Sequence, residues 1–293
     1  MTNTTTPTPP VLVTGASGHL GRLIIDALLA RGAAPSDIVA AARDTAKVAD
    51  LAASGIRTVA FDYDRPDTIT AALDGVASVM LVSGAPGDRV AQHRRVIDAA
   101  VATGVSRIAY TSVTQATTSA FVLAADHKAT EEDIAASGIP AVILRNNWYT
   151  ENYASTLGQA AQTGLLVASA GQGKVASASR ADYAEAAAVT LLDDSHLGKV
   201  YELGGDIAWN YTELAAAMTD VLGRPVTYTP LTPAEHEKTL RDAGLPADVA
   251  GILAAIDAGI ADGGLAYTDG ALARLISHPT TRLRDGLRRL HQA

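Results

Sequence analysis

Residues 11–28 constrain the fold of this chain more than any other stretch, because they join a short apolar run, three glycines and an apolar helix pattern. The run Val11-Leu12-Val13 is typical of a buried parallel strand. Further apolar residues then recur at the spacing of one helix face, at positions 20, 23, 24, 27 and 28. The glycines lie between the two patterns. This order predicts a strand, a tight turn and a helix that begins at the turn.

Each of the three glycines has a separate role in a turn of this kind. Gly15 lets the chain turn sharply out of the strand, Gly18 leaves room for a pyrophosphate, and Gly21 lets the helix pack against the strand. The free N–H groups and positive dipole end of the helix attract phosphate. The spacing GxxGxxG is one residue wider at the front than the dinucleotide fingerprint, but its strand and helix context is the required one. An ordinary strand–turn–helix is the alternative. The residues expected to bind a dinucleotide here are Gly15, Ala16, Ser17, Gly18, His19, Leu20 and Gly21.

Composition narrows the classes of protein to which the chain can belong. The 293 residues carry a net charge of −8 without a dense Lys/Arg run, which disfavours binding to nucleic acid or an anionic membrane. The absence of cysteine excludes disulfides and thiol catalysis and fits a cytoplasmic location. No apolar run reaches membrane-spanning length. Residues 1–10 are rich in Thr and Pro and lack the features of a signal peptide, so a flexible tail is expected.

Strand and helix patterns alternate along the first half of the chain. After the first strand, apolar segments typical of strands occur at 38–42, 57–61, 78–82, 107–110 and 141–144. This alternation predicts an α/β fold with a doubly wound parallel sheet of six or seven strands. The helix after the fourth strand is expected to bury Val90, Ile97 and Val101 and to end at Gly104.

The alternation fades after residue 150, which predicts a second part of the chain. We expect a dinucleotide-binding core over 11–150, with a returning segment at about 175–204. Residues 151–293 are expected to form a smaller C-terminal lobe on the substrate side, with a cleft between core and lobe.

Polar or small residues follow the predicted strands. They are Gly15, Arg43, Asp62, Ser83, Thr111, Ser112 and Asn147. Ligands of open α/β sheets bind outside the carboxyl ends of the strands, so these residues are expected around a cofactor. Strands that simply end in polar loops would explain Asp62 and Ser83 equally well, but not the glycine loop and Arg43 together.

Arg43 indicates which dinucleotide the chain binds. It follows the second strand, near the position where NAD-preferring proteins carry an acidic residue for the ribose hydroxyls. The preceding Ala42 is not acidic, and an arginine suits the 2′-phosphate of NADPH. Asp44 is explained as the cap of the next helix. Arg22 is interpreted as a solvent-exposed helix residue rather than a second phosphate contact.

Other chemistries find little support in the sequence. His93, His127 and His196 lack the spacing of metal ligands, and neither HExxH nor GxSxG is present. We therefore expect no metal. Just past the sixth strand lie Asn147, Trp148, Tyr149 and Tyr153, which are candidates for the wall of a substrate site; packing between the two parts of the chain explains the aromatic residues equally well.

Several segments together resemble one family. They are Thr14–Gly21, Ala42–Asp44, Gln92–Ala100, Ile108–Ser112, Leu144–Tyr153, Ala176–Tyr183 and Ser277–Thr281. Their combination is similar to the NmrA-like group of atypical short-chain dehydrogenase/reductases, and within it to type-2 NAD(P)H:quinone oxidoreductases. The resemblance implies a Rossmann domain, NADPH as cofactor and the two-electron reduction of quinones. It also implies that Gly15, Gly18, Gly21, Arg43, Asp62 and Ser83 line the cofactor.

The chain departs from the wider superfamily at a Tyr-x-x-x-Lys pair, which active members carry on the helix after the fifth strand. In this chain that helix is expected over about Ala124–Ser137. Aligned through Glu131, the Lys position holds His127 and the Tyr position Leu123; shifted onto Lys128, the Tyr position holds Ala124. The tyrosine proton donor is therefore absent. Ketone reduction makes an alkoxide, whose protonation needs a positioned donor. Quinone reduction makes a phenolate, whose conjugate acid has a pKa of about 10. The absence of this tyrosine therefore favours a quinone as the substrate.

His127 and Tyr149 remain candidate catalytic residues. A His127 on the helix surface, making only a local contact, is the alternative to His127 as a proton donor. Two other functions stay open: a carbonyl or imine reductase of the same fold, and an NADP(H)-sensing regulator without turnover. A homodimer is kept as a candidate assembly.

Overall fold

The computed structural model describes residues 10–84 and 88–292. The expected flexible tail lies outside the described residues, apart from Pro10. The chain forms two compact units. Unit 1 comprises the residues up to Ser112, Asp126–Leu144 and Ala184–Tyr201, and unit 2 comprises Val113–Ala125, Arg145–Tyr183 and the residues from Glu202 onward. The expected division of the chain near residue 150 stays a prediction.

Strands alternate with helices through the first half of the chain, as expected, and the alternation fades after residue 150. The strands are β1 (Val11–Val13), β2 (Ile38–Ala42), β3 (Arg57–Ala60), β4 (Ser78–Leu81), β5 (Arg107–Val113), β6 (Ala141–Asn146), β7 (Leu165–Ala168), β8 (Lys174–Val175), β9 (Val200–Leu203), β10 (Trp209–Asn210) and β11 (Thr227–Pro230). The helices are α1 (His19–Ala30), α2 (Ala49–Ala53), α3 (Pro66–Leu73), α4 (Arg89–Thr103), α5 (Ala124–Ser137), α6 (Ala154–Thr163), α7 (Arg180–Leu192), α8 (Tyr211–Leu222), α9 (Pro233–Asp242), α10 (Ala247–Ala261), α11 (Ala271–Ile276) and α12 (Leu283–Gln292).

A parallel sheet of seven strands, in the order β3-β2-β1-β4-β5-β6-β9, confirms the predicted fold class. Its first six strands follow the order of doubly wound dinucleotide-binding sheets. The bounds of β2 and α5 agree with the sequence patterns. Strand β5 is longer than predicted, because Thr114 N–H still donates to Asn146 O at 2.9 Å. Thr111 and Ser112 therefore lie within this strand rather than beyond its end.

Helix α4 ends at Gly104 as predicted, but its buried face differs from the prediction. Val101 is 51% exposed. The buried stripe of α4 instead includes Arg89, His93, Val96, Ile97 and Ala100. Two polar residues occupy this stripe because they find hydrogen-bonding partners on α5.

These partners form a buried polar cluster in unit 1. His127 Nδ1 lies 2.7 Å from Tyr110 Oη, and Arg89 Nη1 lies 3.2 Å from His127 Nε2. His93 Nδ1 lies 3.0 Å from Thr130 Oγ1. Because a guanidinium only donates hydrogen bonds, His127 accepts through Nε2 and donates to Tyr110 through Nδ1. His127 is only 6% exposed, so the alternative of a histidine on the helix surface is wrong.

Burial sets the protonation state of both histidines in this cluster. It lowers the pKa of His127 to about 3 and that of His93 to about 4, and the Arg89 cation adds to both shifts. Both imidazoles are therefore neutral at pH 7.

Unit 2 has its own apolar core, which includes Trp209, Leu214, Met218, Leu166 and Leu287. Around this core lie two small sheets, the parallel pair β7–β11 and the antiparallel pair β8–β10. The sequence patterns left the short α11 and the final α12 unpredicted. Over the described residues, no helix has the length and apolar character needed to cross a membrane.

The buried histidines predict a fall in stability at acid pH. The unfolded chain takes up protons at these positions near pH 6.5, whereas the folded protein takes them up only near pH 4 and 3. As the pH falls below 6.5, the unfolded state therefore binds more protons, and the free energy of unfolding decreases by about 1.4 kcal/mol per pH unit for each histidine.

Urea unfolding at a series of pH values checks this expectation. The double variant His93→Gln/His127→Gln should show a shallower pH dependence between pH 6.5 and 4.5, and the exposed control His291→Gln should show the parent's slope. An equal slope in the parent and the double variant would contradict the assignment.

Candidate functional site

The glycine loop joins β1 to α1 through close backbone contacts. Gly15 has a φ of +62°, a left-handed conformation that favours glycine. Gly18 N–H donates to Gly15 O at 2.8 Å, and Ala16 N–H donates to Ala41 O of β2 at 3.0 Å. A Cβ atom on Gly21 would lie 2.3 Å from Gly15 O, well inside van der Waals contact. The turn therefore requires glycine at position 21, as the sequence predicts.

The loop leaves the N-terminus of α1 open to an anion. Gly18 is the N-cap and has no side chain to cap the first turn, which also lacks an acidic residue. Ser17, Gly18 and His19 are exposed, whereas Ala16 and Leu20 are buried. The last two residues can therefore contribute only backbone groups. Exposed N–H groups at the positive end of a helix fit the pyrophosphate of a dinucleotide.

Two arginines near the loop have different surroundings. Arg43 is exposed, and no hydrogen bond or ion pair to its guanidinium is found among the described residues. Arg22 instead pairs with Asp50 and Asp26, which agrees with its interpretation as a structural surface residue. Asp44 accepts a hydrogen bond from Ala46 N–H at 3.0 Å and so has the expected capping role. Only Arg43 of these two cations is available to a 2′-phosphate.

Hydrogen bonds link the ends of β1, β3 and β4 beside the loop. Tyr63 Oη donates to Thr14 Oγ1 at 2.9 Å and lies 3.0 Å from Val82 O. Val82 N–H also donates to Thr14 Oγ1 at 2.9 Å. Burial raises the pKa of Tyr63 to about 12. No sequence pattern indicates a role for Thr14 or Tyr63 individually, because their roles depend on which strands become neighbours.

The remaining candidates at the strand ends are held by local bonds. Thr111 Oγ1 accepts from Ser83 N–H at 2.8 Å and lies 3.2 Å from Ser83 Oγ. Ser112 Oγ donates to Glu131 Oε1 at 2.6 Å. Asp62 Oδ1 accepts from Asp64 N–H at 3.1 Å, which is a turn interaction. Cofactor contacts by these residues stay predictions.

The two candidate catalytic residues are both engaged within their own units. His127 uses both ring nitrogens in the buried cluster of unit 1. In unit 2, Tyr149 Oη accepts from Asn146 Nδ2 at 3.1 Å, and the ring packs edge-on against Tyr183 beneath the Arg180 guanidinium. Burial raises the pKa of Tyr149. His127 is therefore not a free proton donor, whereas the Tyr149 hydroxyl is shown only as an acceptor among the described residues. The catalytic roles of both residues stay predictions.

The four candidate substrate residues separate into two groups. Trp148 and Tyr153 line a cavity of about 370 Å³ in unit 2, whereas Asn147 and Tyr149 do not line it. Asn147 Nδ2 donates to Leu265 O and Tyr267 O at 3.2 and 3.3 Å. Its side chain thus holds the segment at residues 265–267 in place. Only half of the predicted group is therefore gathered around one cavity.

Polar residues that the sequence did not indicate lie at the same cavity. Asp257 and His236 both line it and are buried, and the Asp257 Oδ2–His236 Nδ1 distance is 3.1 Å. His236 is placed by α9, which begins at a capping box between Thr232 and Glu235. No motif connects positions 236 and 257, so only the folded chain reveals the pair. Over residues 10–84 and 88–292, no three His, Cys, Asp or Glu residues group as metal ligands would.

Comparison with known proteins identifies relatives over nearly the whole chain. Quinone oxidoreductase 2 of Escherichia coli (strain K12) is 45% identical over 281 residues, covering 96% of this chain and 98% of that protein. A crystal structure of the Escherichia coli NADPH-dependent quinone oxidoreductase complexed with NADPH has a TM-score of 0.93, with 96% of this chain and 99% of that chain covered.

A second solved structure, the triphenylmethane reductase of Citrobacter sp. complexed with NADP(H), has a TM-score of 0.91 and 35% identity, with 96% and 99% of the two chains covered. The sequence pattern of the NmrA-like family matches residues 7–264. The chain therefore belongs to the NmrA-like family.

Proposed function

We propose that this protein is an NADPH-dependent oxidoreductase that reduces quinones to hydroquinones by transfer of a hydride. One observation carries the proposal: the chain matches, over almost all of its length and at 45% identity, a quinone oxidoreductase whose crystal structure holds NADPH. The glycine loop, where no residue larger than glycine fits at position 21, independently supports the dinucleotide part of this assignment.

The residues of unit 1 suit the parts of NADPH. The open N-terminus of α1 and the loop over Gly15–Gly21 hold the pyrophosphate, and Arg43 binds the 2′-phosphate. Asp62, Ser83, Thr111 and Ser112 contribute contacts at the carboxyl edge of the sheet. When bound, NADPH supplies the hydride; the protein's part is to position it and to exclude NADH.

The chemistry of the product explains why the chain needs no tyrosine donor. Hydride transfer converts the quinone into a phenolate, which water or a weak donor can protonate. His127 is neutral and bonded at both ring nitrogens, so it is a poor replacement for the missing tyrosine. Positioning of a flat ring is then the main requirement. The expected homodimer and the cytoplasmic location stay predictions.

Removal of the Arg43 charge tests the proposed preference for NADPH over NADH. Arg43→Gln should weaken NADPH binding by about 10- to 150-fold, since a hydrogen bond to a charged group contributes about 1.5–3 kcal/mol. NADH binding should change little. The measurement is a fluorescence titration of both dinucleotides.

Arg22→Gln is the matched control, because Arg22 lies near the loop but is paired with carboxylates. It should leave both affinities unchanged. Equal affinity of the parent protein for NADPH and NADH would show that Arg43 does not select the phosphate.

Turnover with a panel of acceptors tests the substrate class. We expect NADPH oxidation to be fastest with quinones and slow with simple ketones, imines and a triphenylmethane dye. His127→Ala should lower quinone turnover by less than about tenfold, below the usual contribution of a general acid. His127→Gln, which fills the buried site, separates a loss of folding from a loss of chemistry.

Three outcomes would contradict the substrate assignment. A ketone reduced as fast as the best quinone, with activity abolished in both His127 variants, would make His127 a replacement for the tyrosine. Fastest turnover of the dye would place the chain with the triphenylmethane reductase. Tight NADPH binding without turnover of any acceptor would indicate a sensor.

A further inference from the structure

The cavity in unit 2 has the walls of a site for a flat ring. Its volume of about 370 Å³ is within the usual range of small-molecule sites. Aromatic and aliphatic side chains form most of its lining, among them Trp148, Tyr153, Tyr211, Leu240, Leu253 and Ile256. All of these residues belong to unit 2. Aromatic walls favour a planar ligand, because ring faces and edges both pack well against them.

One end of the cavity is polar and fully organised. Asp257 Oδ2 accepts from Ser169 N–H at 2.7 Å, and Asp257 Oδ1 accepts from Tyr211 Oη at 3.2 Å. His236 Nδ1 lies 3.1 Å from both Asp257 Oδ2 and Ser169 Oγ. A buried carboxylate is costly unless it is paired in this way. These contacts fix the orientation of the His236 ring.

The contacts leave one ring nitrogen for a ligand. No partner of His236 Nε2 is found in the described part of the chain, and His236 lines the cavity. A serine protease triad is excluded by the geometry: Ser169 and Asp257 both lie on the Nδ1 side, whereas a triad needs them on opposite ring nitrogens. The arrangement instead leaves Nε2 without a partner among the described residues, on a side chain that lines the cavity. As an imidazolium it donates to a carbonyl oxygen, and as a neutral ring it accepts from a hydroxyl.

We propose that this cavity is the quinone site, that His236 Nε2 hydrogen-bonds a carbonyl oxygen of the quinone, and that Asp257 acts as the positioning residue for His236. The inference rests on the proposed function and assigns a place to its substrate. The same nitrogen can bind both substrate and product, because a quinone offers a hydrogen-bond acceptor and a hydroquinone offers a donor. The apolar walls hold the ring between them.

Tryptophan fluorescence tests the location of the site without any turnover. The chain has two tryptophans, Trp148 at the cavity and Trp209, whose Nε1 donates to Ser177 Oγ at 3.1 Å. We expect 2-methyl-1,4-naphthoquinone, titrated with and without NADP⁺, to quench the parent protein saturably. Trp148→Phe should remove most of this quenching and Trp209→Phe should retain it. The opposite result, or no saturable quenching in either condition, would overturn the proposal.

Steady-state kinetics test the proposed hydrogen bond between His236 and the quinone. His236→Phe should raise the KM for the naphthoquinone about tenfold or more, the effect of losing a hydrogen bond to a charged group, with the Kd for NADPH unchanged. His236→Gln, which keeps a donor, should restore part of the loss. Asp257→Asn should also raise KM, because it removes the charge while keeping the shape. The controls are Lys238→Gln on α9 and Asp248→Asn on α10, both exposed.

The outcomes separate the two proposals. If the parent reduces quinones and both His236 variants keep the parent KM, the proposed function stands and the quinone site is misplaced. If the parent reduces no quinone, the proposed function falls, and the fluorescence titration alone decides whether the cavity binds the ring. A variant that fails to fold would show an altered circular-dichroism spectrum, and the glutamine variant then carries the kinetic test.

Discussion

The close approach of α1 to the loop that precedes it is the contact on which unit 1 depends. The backbone at Gly21 lies so near the Gly15 carbonyl that even a methyl group would overlap it. This approach places the first turn of α1 directly against the end of β1, and no described side chain caps the N–H groups of that turn. In the proposed function, this backbone geometry forms the phosphate site, and side chains such as Arg43 only determine which dinucleotide is preferred. The same contact leaves no room for a side chain at Gly21, whereas Ser17 and His19 are exposed.

The two units divide the chemistry between them in the proposed reaction. Unit 1 supplies the phosphate site, and its buried His127 has a structural role, since Arg89 and Tyr110 occupy both of its ring nitrogens. In unit 2, His236 differs from His127, because the described neighbouring side chains engage only its Nδ1 and the residue lines a cavity. An enzyme that lacks a tyrosine donor can work in this way only if its product is a weak base, and a hydroquinone anion meets that condition.

Local patterns predicted the elements whose formation is decided by neighbouring residues. The glycine loop, β2 and α5 agree with the sequence because turn chemistry and periodicity are encoded within a few positions. Features that depend on distant partners were missed or misread. Thr111 and Ser112 lie inside β5 because β6 continues the pairing, and Val101 is exposed because hydrogen bonds to α5 favour a different face of α4. No sequence signal joins His236 to Asp257.

The most direct test of the account is the affinity for NADPH of Gly21→Ala against Gly158→Ala. A Cβ at Gly158 would meet open space on the exposed face of α6, so this variant controls for the added methyl group. We predict that Gly21→Ala loses NADPH binding by more than about tenfold, since small displacements of a site lose much of its function, whereas Gly158→Ala keeps the parent affinity. Circular dichroism confirms that both variants fold. Equal, parent-like affinities in the two variants would contradict the claim that the approach of α1 to the loop creates the cofactor site.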